Sequence, residues 1–276
     1  MGPDNICDTT NFLNCAKNGH KACLQHAVTK GFSVDFTDRF GNTALILACK
    51  YGHTDCVIFL LENNAQMNAE DMFHNSALMY ALKGLHVECA KLLITHGANI
   101  QGDAGIRALH RAALCGLDDL VSLLLDKGVD VNGQVKDGET ALIAAVSKGQ
   151  IEVVSILIQH GANLDLIDYK GRTALIHAVL LMDNEVIIKL LVEHKANLNI
   201  QDVFGRTALI YAVREPQPEI IRFFLEQATD IKIADDNGLT PLGWLRKMSQ
   251  SVQQPPEVLE GINLLRYHTD LLLPSP

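Results

Sequence analysis

Eleven histidines and seven cysteines are the side chains from which this chain could build a metal site or a nucleophile. Their spacing favours neither. Cys7, Cys15, Cys23, Cys49, Cys56, Cys89 and Cys115 all lie in the first half and never form CxxC, the short spacing that brings two thiolates onto one metal. His20 and His53 each follow a glycine, 33 residues apart, while His96, His160 and His194 recur near the ends of apolar segments. Recurrence at a fixed place is explained by structure without a ligand role. No GxxxxGK[ST] loop, HExxH helix or GxSxG turn occurs. Carboxylates such as Asp118-Asp119 and Asp235-Asp236 read as turns or solvated faces. We therefore expect no catalytic residue, no metal and no cofactor.

Charge narrows the partner. The formal charge is −9 with no basic run, whereas nucleic-acid binders concentrate Lys and Arg on one face. Nucleic acid is excluded on that ground. No apolar run reaches the ~18–20 residues that cross a bilayer, so membrane insertion is not expected. The stretch at residues 1–11 has neither a basic start nor an apolar segment, so no signal peptide is expected. An odd number of cysteines fits reduced thiols in the cytoplasm or nucleus.

The elements carrying these residues repeat. "GRTALIHAV" at 171–179 returns as "GRTALIYAV" at 205–213, and only His177 becomes Tyr211. Anchored on Thr43, Ser76, Arg107, Thr140, Thr173, Thr207 and Thr240, related segments succeed one another every 31 to 34 residues. Each anchor is followed by a second apolar segment, such as "IEVVSILIQHGANLD" at 151–165, whose three-and-four spacing predicts an amphipathic helix ending at Gly161. Segments such as "DRFGNT" (38–43) and "DYKGRT" (168–173) predict tight turns. The anchor hydroxyl should cap the helix that follows.

These segments closely resemble the ankyrin repeat. The pattern of a Gly-x-Thr-Pro-Leu-His-x-Ala helix, a Gly-His turn, an Ile/Val-Leu-Leu helix and a Gly-Ala-Asn exit is recognisable in seven units with a degenerate eighth, over roughly residues 9–270. The resemblance implies an all-α solenoid of about eight helix-turn-helix units joined by β-hairpin-type loops. We read residues 1–276 as one domain: a degenerate amino-terminal capping repeat (9–37), six regular repeats (38–235), and a carboxy-terminal capping repeat (236–273) with a Pro/Gln-rich insertion. Three irregularities are expected. His74 replaces a turn glycine, the connection before Arg107 is shortened, and Pro216 and Pro218 replace Gly-His, with Pro218 suited to a helix start.

Four residues past each anchor the letter varies: Leu47, Tyr80, Arg111, Ala144, His177, Tyr211, Trp244. A core position at native packing density should not accept Leu, Arg and Trp alike, so these side chains are expected to project into a groove and read a partner. Tyr51 and Arg214 share that side, and Arg39, Phe40, Met72, Phe73, Tyr169 and Phe204 stand at the turn tips. Tyr, Trp and Arg are common binding hot spots. The other reading is local packing of the tip aromatics on adjacent turns, with Trp244 covering the core beneath the cap. The resemblance implies binding of one or more partner proteins, by a monomer acting as adaptor or scaffold. It also admits a substrate-recognition subunit of a ubiquitin-ligase assembly, although no recruiting box is recognisable after residue 250, or a stoichiometric inhibitor of an enzyme or transcription factor. Asn68, Asn132 and Asn199 match positions that ankyrin loops present for hydroxylation. An ordinary turn role suits them as well.

Overall fold

The computed structural model describes residues 9–181, 184–227, 229–249 and 256–272. They fall into two compact units that meet in sequence between Val131 and Asn132. The first unit contains α1 (Thr9–Lys17), α2 (Lys21–Thr29), α3 (Ala44–Lys50), α4 (Thr54–Glu62), α5 (Ala77–Lys83), α6 (Val87–Thr95), α7 (Asp103–Leu114) and α8 (Asp118–Asp126). The second contains α9 (Ala141–Ser147), α10 (Ile151–Gln159), α11 (Ala174–Leu180), α12 (Glu185–Glu193), α13 (Ala208–Arg214), α14 (Pro218–Glu226), α15 (Pro241–Met248) and α16 (Pro256–Leu272). Among the described residues extended pairing is confined to three isolated bridges at the hairpin turns, Thr37 with Thr43, Glu70 with Ser76 and Gln134 with Thr140.

Six of the first helices, α3, α5, α9, α11, α13 and α15, start where the sequence supplies a hydroxyl cap. Thr43, Ser76, Thr140, Thr173, Thr207 and Thr240 accept the N–H three residues on, satisfying a donor that the first helical turn otherwise leaves free. Gly161, at φ 81°, follows the end of α10, and Pro218 opens α14. His74 takes the left-handed backbone of the glycine it replaces, at φ 57°.

The repeated letters form the stack. Ala48, Ala81, Ala112, Ala145, Ala178 and Ala212 are fully buried, and their small size lets first helices pack side by side: α1 on α3 and α3 on α5 in the first unit, α9 on α11 and α11 on α13 in the second. Leu60, Leu93 and Leu124, and Leu157, Leu191 and Phe224, fill the layer between first and second helices. At the carboxy-terminal end α16 packs on α14 and α15 through Val258, Ile262 and Leu265.

The 31-residue spacing takes a form the sequence reading did not give. The segment before Arg107 lacks the Asp-x-x-Gly turn, and helix replaces it: α7 begins at Asp103, so Arg107 lies inside it. Gly105 makes this possible, since a Cβ there would fall 1.9 Å from the Ile100 carbonyl oxygen.

Candidate functional site

The turn aspartates organise the face on which the variable letters lie. One oxygen of Asp71 accepts the N–H groups of Phe73 and Asn75, each at 2.9 Å. Asp38, Asp168, Asp202 and Asp235 hold their own turns in the same way. The second oxygen takes a side-chain donor from nine residues later. The Tyr80 hydroxyl donates to Asp71 at 2.6 Å, His177 Nε2 to Asp168 at 2.9 Å, the Tyr211 hydroxyl to Asp202 at 2.5 Å and Trp244 Nε1 to Asp235 at 3.0 Å.

Where the turn holds Val135 instead of Asp, the ninth residue on is Ala144. Asp38 is followed by Leu47, and Asn42 Nδ2 supplies the missing donor at 2.8 Å. Burial pushes the Asp71 carboxyl up, but the bonds from Tyr80, Asn75 and Phe73 outweigh it and hold it below the ordinary range. The Tyr80 phenol is pushed up to about 12 by its bond to Asp71 and by burial. Burial likewise opposes, and turn bonds outweigh it, at Asp38 and Asp235.

The variable position is therefore not uniformly a groove position. Leu47, Ala144 and Tyr211 are buried, Tyr211 being only 4% exposed. Tyr80, Arg111, His177 and Trp244 are half-buried. The assumption that one place cannot be both core and variable fails because the Asp oxygen, present or absent, sets the local requirement. Arg214 is half-buried, its guanidinium 5.8 Å from the Tyr211 ring and 4.9 Å from the Trp244 ring. Arg172 and Arg206 approach the Tyr211 ring at 5.6 and 5.9 Å, which closes further cover over it.

The turn tips are different. In the first unit Phe40, Met72 and Phe73 are exposed, Phe73 to 66%, with the Arg39 guanidinium 4.6 Å from the Phe40 ring. In the second unit Tyr169, Val203 and Phe204 are exposed, Tyr169 to 65%. Backbone bonds join successive tips: Met72 N donates to Phe40 O at 2.9 Å, Val203 N to Lys170 O at 2.9 Å and Asp236 N to Phe204 O at 3.1 Å. Tyr51, also exposed, has the Lys17 ammonium 5.6 Å from its ring.

Asn68, Asn132 and Asn199 lie on the loops leaving the second helices. Their side-chain oxygens accept the N–H of Asn99, Asn163 and Asp230 at 2.7, 2.7 and 3.0 Å, so each fixes the next loop. The turn histidines act similarly. His53 and His86 reach the carbonyls of Lys17 and Lys50 at 2.9 and 3.2 Å. Cys49, Cys56 and Cys89 are buried and their thiols are pushed up by that burial; Cys7 lies outside the described residues. Among the described residues no three His, Cys, Asp or Glu side chains converge as metal ligands would, and no helix is long and apolar enough to cross a membrane.

The family profile described as ankyrin repeats in three copies matches residues 12–104, 68–135, 109–202 and 182–250. Comparison with curated proteins finds no match. Among solved structures, the human ASB11 ankyrin repeat domain is 26% identical, with a TM-score of 0.65 over 72% of this chain and 89% of that one. A chain in the structure of the Bd0816 predatory endopeptidase from Bdellovibrio bacteriovorus in complex with immunity protein Bd3460 is 29% identical, with a TM-score of 0.61 over 68% of this chain and all of that one.

Proposed function

Because the chain belongs to the ankyrin-repeat family, whose repeats are protein-interaction modules, we propose that it is a non-catalytic adaptor or scaffold that binds a partner protein. The observation that supports this most is the exposure of the turn tips within each unit. Phe40, Met72 and Phe73 in one unit, and Tyr169, Val203 and Phe204 in the other, are large apolar side chains exposed on backbone already fixed by aspartate and tip-to-tip bonds. Fixed backbone lowers the ordering cost of association, and aromatic side chains bury much area for few rotors. The contact set we propose comprises these tips with Arg39, Tyr51, Tyr80, Arg111, His177, Arg214 and Trp244 on the adjoining face. Tyr211 contributes by holding Asp202. Hydroxylation of Asn68, Asn132 and Asn199 would add a group beside bonds that already shape the loops.

Phe73→Ser and Tyr169→Ser remove tip side chains that support little of the core. Quantitative capture from lysate, with helicity and melting matched to the parent chain, should lose the same specific partners in the double variant. Retention of every partner would sink the tip assignment. A cullin-type complex among the captured proteins would specify a ligase role. Inhibition is a second reading, supported by the relative from a complex of an endopeptidase with an immunity protein. It predicts stoichiometric loss of the partner's activity on titration.

A further inference from the structure

In the first unit, α1, α3 and the turn at residues 37–42 border an open cleft of about 590 Å³ whose charge opposes that of the chain. Lys17, Arg39 and Lys50 line it, and Asp38 is its one carboxylate, whereas the whole chain carries −9. Asp38 is turned onto its own loop, accepting from Phe40 N, Asn42 N and Asn42 Nδ2 at 2.8, 2.9 and 2.8 Å. Among the described residues none of the three cations has a carboxylate within ion-pair distance. Their near neighbours are rings instead: Lys17 over Tyr51, Lys50 over Tyr80 at 4.8 Å and Arg39 over Phe40.

One further observation says what would fill the cleft. The lysines that line it belong to a period that continues beyond it. Lys17, Lys50 and Lys83 each end a first helix, 33 residues apart, on α1, α3 and α5, which pack side by side. Packed helix axes lie ~8–10 Å apart. A polyproline-II segment has three residues per turn and rises ~3.1 Å per residue, so every third side chain returns to the same face after about 9 Å.

We propose that this cleft takes an extended acidic segment of the partner protein in polyproline-II form. Carboxylates three residues apart face Lys17 and Lys50 in the cleft, the next reaches Lys83 on α5 beyond it, and apolar residues between them lie on Phe40 and Tyr51. The proposal rests on the protein-binding reading above and deepens it.

The test is fluorescence anisotropy of the full chain with a labelled heptapeptide bearing Glu at its first, fourth and seventh positions, separated by Pro-Leu pairs. We expect saturable binding, at least tenfold tighter than for a peptide of the same composition with its three Glu adjacent, and weakening with salt. Lys17→Glu/Lys50→Glu should lower affinity at least tenfold, with unchanged circular dichroism, while Lys170→Glu in the second unit leaves it unchanged. The proposal is overturned if no acidic peptide binds, if spacing makes no difference, if the lysine variant binds normally, or if a mixed-sequence oligonucleotide binds as tightly. The two readings fail separately. Capture of specific partners that depends on Phe73 and Tyr169, with Lys17→Glu/Lys50→Glu indistinguishable from the parent chain, would keep the protein-binding function and eliminate the acidic segment.

Discussion

Tyr211 and His177 differ in chemistry yet meet the same need, a donor for the second oxygen of a turn aspartate. Removing that donor strands a buried carboxylate oxygen, and hydrogen bonds to charged groups contribute ~1.5–3 kcal/mol. Tyr211→Phe should therefore lower the unfolding free energy by about that amount, and Tyr80→Phe, at a half-buried site, by roughly 1 kcal/mol. Urea denaturation would measure both, and a Tyr211→Phe variant as stable as the parent would refute the assignment. The Tyr80 pair also has a pH signature. Asp71's carboxyl is held low in the fold, so its contribution is present above the ordinary carboxylate range, about 4, and lost as pH falls through the folded value. Tyr80's phenol is held high, so its contribution is full below about 10 and lost as pH rises through about 12. The stability gap between parent and Tyr80→Phe should close at both extremes. None of this pairing was visible from aligning repeats letter by letter. It needs a comparison along the chain, Asp71 with Tyr80, Asp168 with His177, Asp202 with Tyr211, Asp235 with Trp244, and Val135 with Ala144 as the joint exception. Leu47 hides the rule, because Asn42 serves Asp38 in its place.

At the scale of the helix and its turns, most of the structure could be read in advance because it depends on local chemistry. Hydroxyl caps, the glycine after α10, Pro218 at a helix start and the three-and-four apolar spacing each act within a few residues. The length of α7 depends on a non-local fit, the close approach of Gly105 to Ile100, and so escaped the reading. That fit gives a test in which two effects oppose. Alanine is the better helix former by about 1 kcal/mol, but its Cβ would meet Ile100 O at 1.9 Å and Val129 Cγ2 at 3.1 Å, and overpacking costs ~1–3 kcal/mol. Gly105→Ala should destabilise, and a raised melting temperature would show that the segment at 99–105 yields easily. The opposite change is expected at two exposed turns. Leu85 and Lys195 hold left-handed backbone at φ 58° and 70°, a strain of ~1–2 kcal/mol partly offset by the greater unfolded freedom of glycine, roughly 0.5–1 kcal/mol. Leu85→Gly and Lys195→Gly should each stabilise by up to about 1 kcal/mol, read as a higher urea midpoint.

At the scale of the molecule, stability in a stacked array is close to a sum of terms for each repeat and each neighbouring interface, so weak repeats open locally before the array unfolds. In the first unit the hairpin of α5 and α6 carries two strained turns, at His74 and Leu85. In the second unit, Pro216 and Gln217 stand in place of the Gly-His turn between α13 and α14, and Pro216 removes a backbone donor there, whereas Pro218 opens α14 at a position suited to it. That loss is only partly offset by Gln217, whose side-chain amide donates to Val179 O at 3.1 Å in the manner of His53 and His86. The hairpin of α9 and α10 has neither defect: Thr140 caps it, its turn glycine at 149 takes positive φ without strain, and Val153, Val154 and Leu157 bury its second helix. Native-state hydrogen exchange should therefore find the amides of 77–95 and 208–226 opening at lower free energy than those of 141–159. Restoring Gly-His at Pro216 and Gln217 should raise protection in α13 and α14 and leave α9 and α10 as they were. Equal protection across these hairpins would mean that interface terms, not the strained turns, decide where the protein opens.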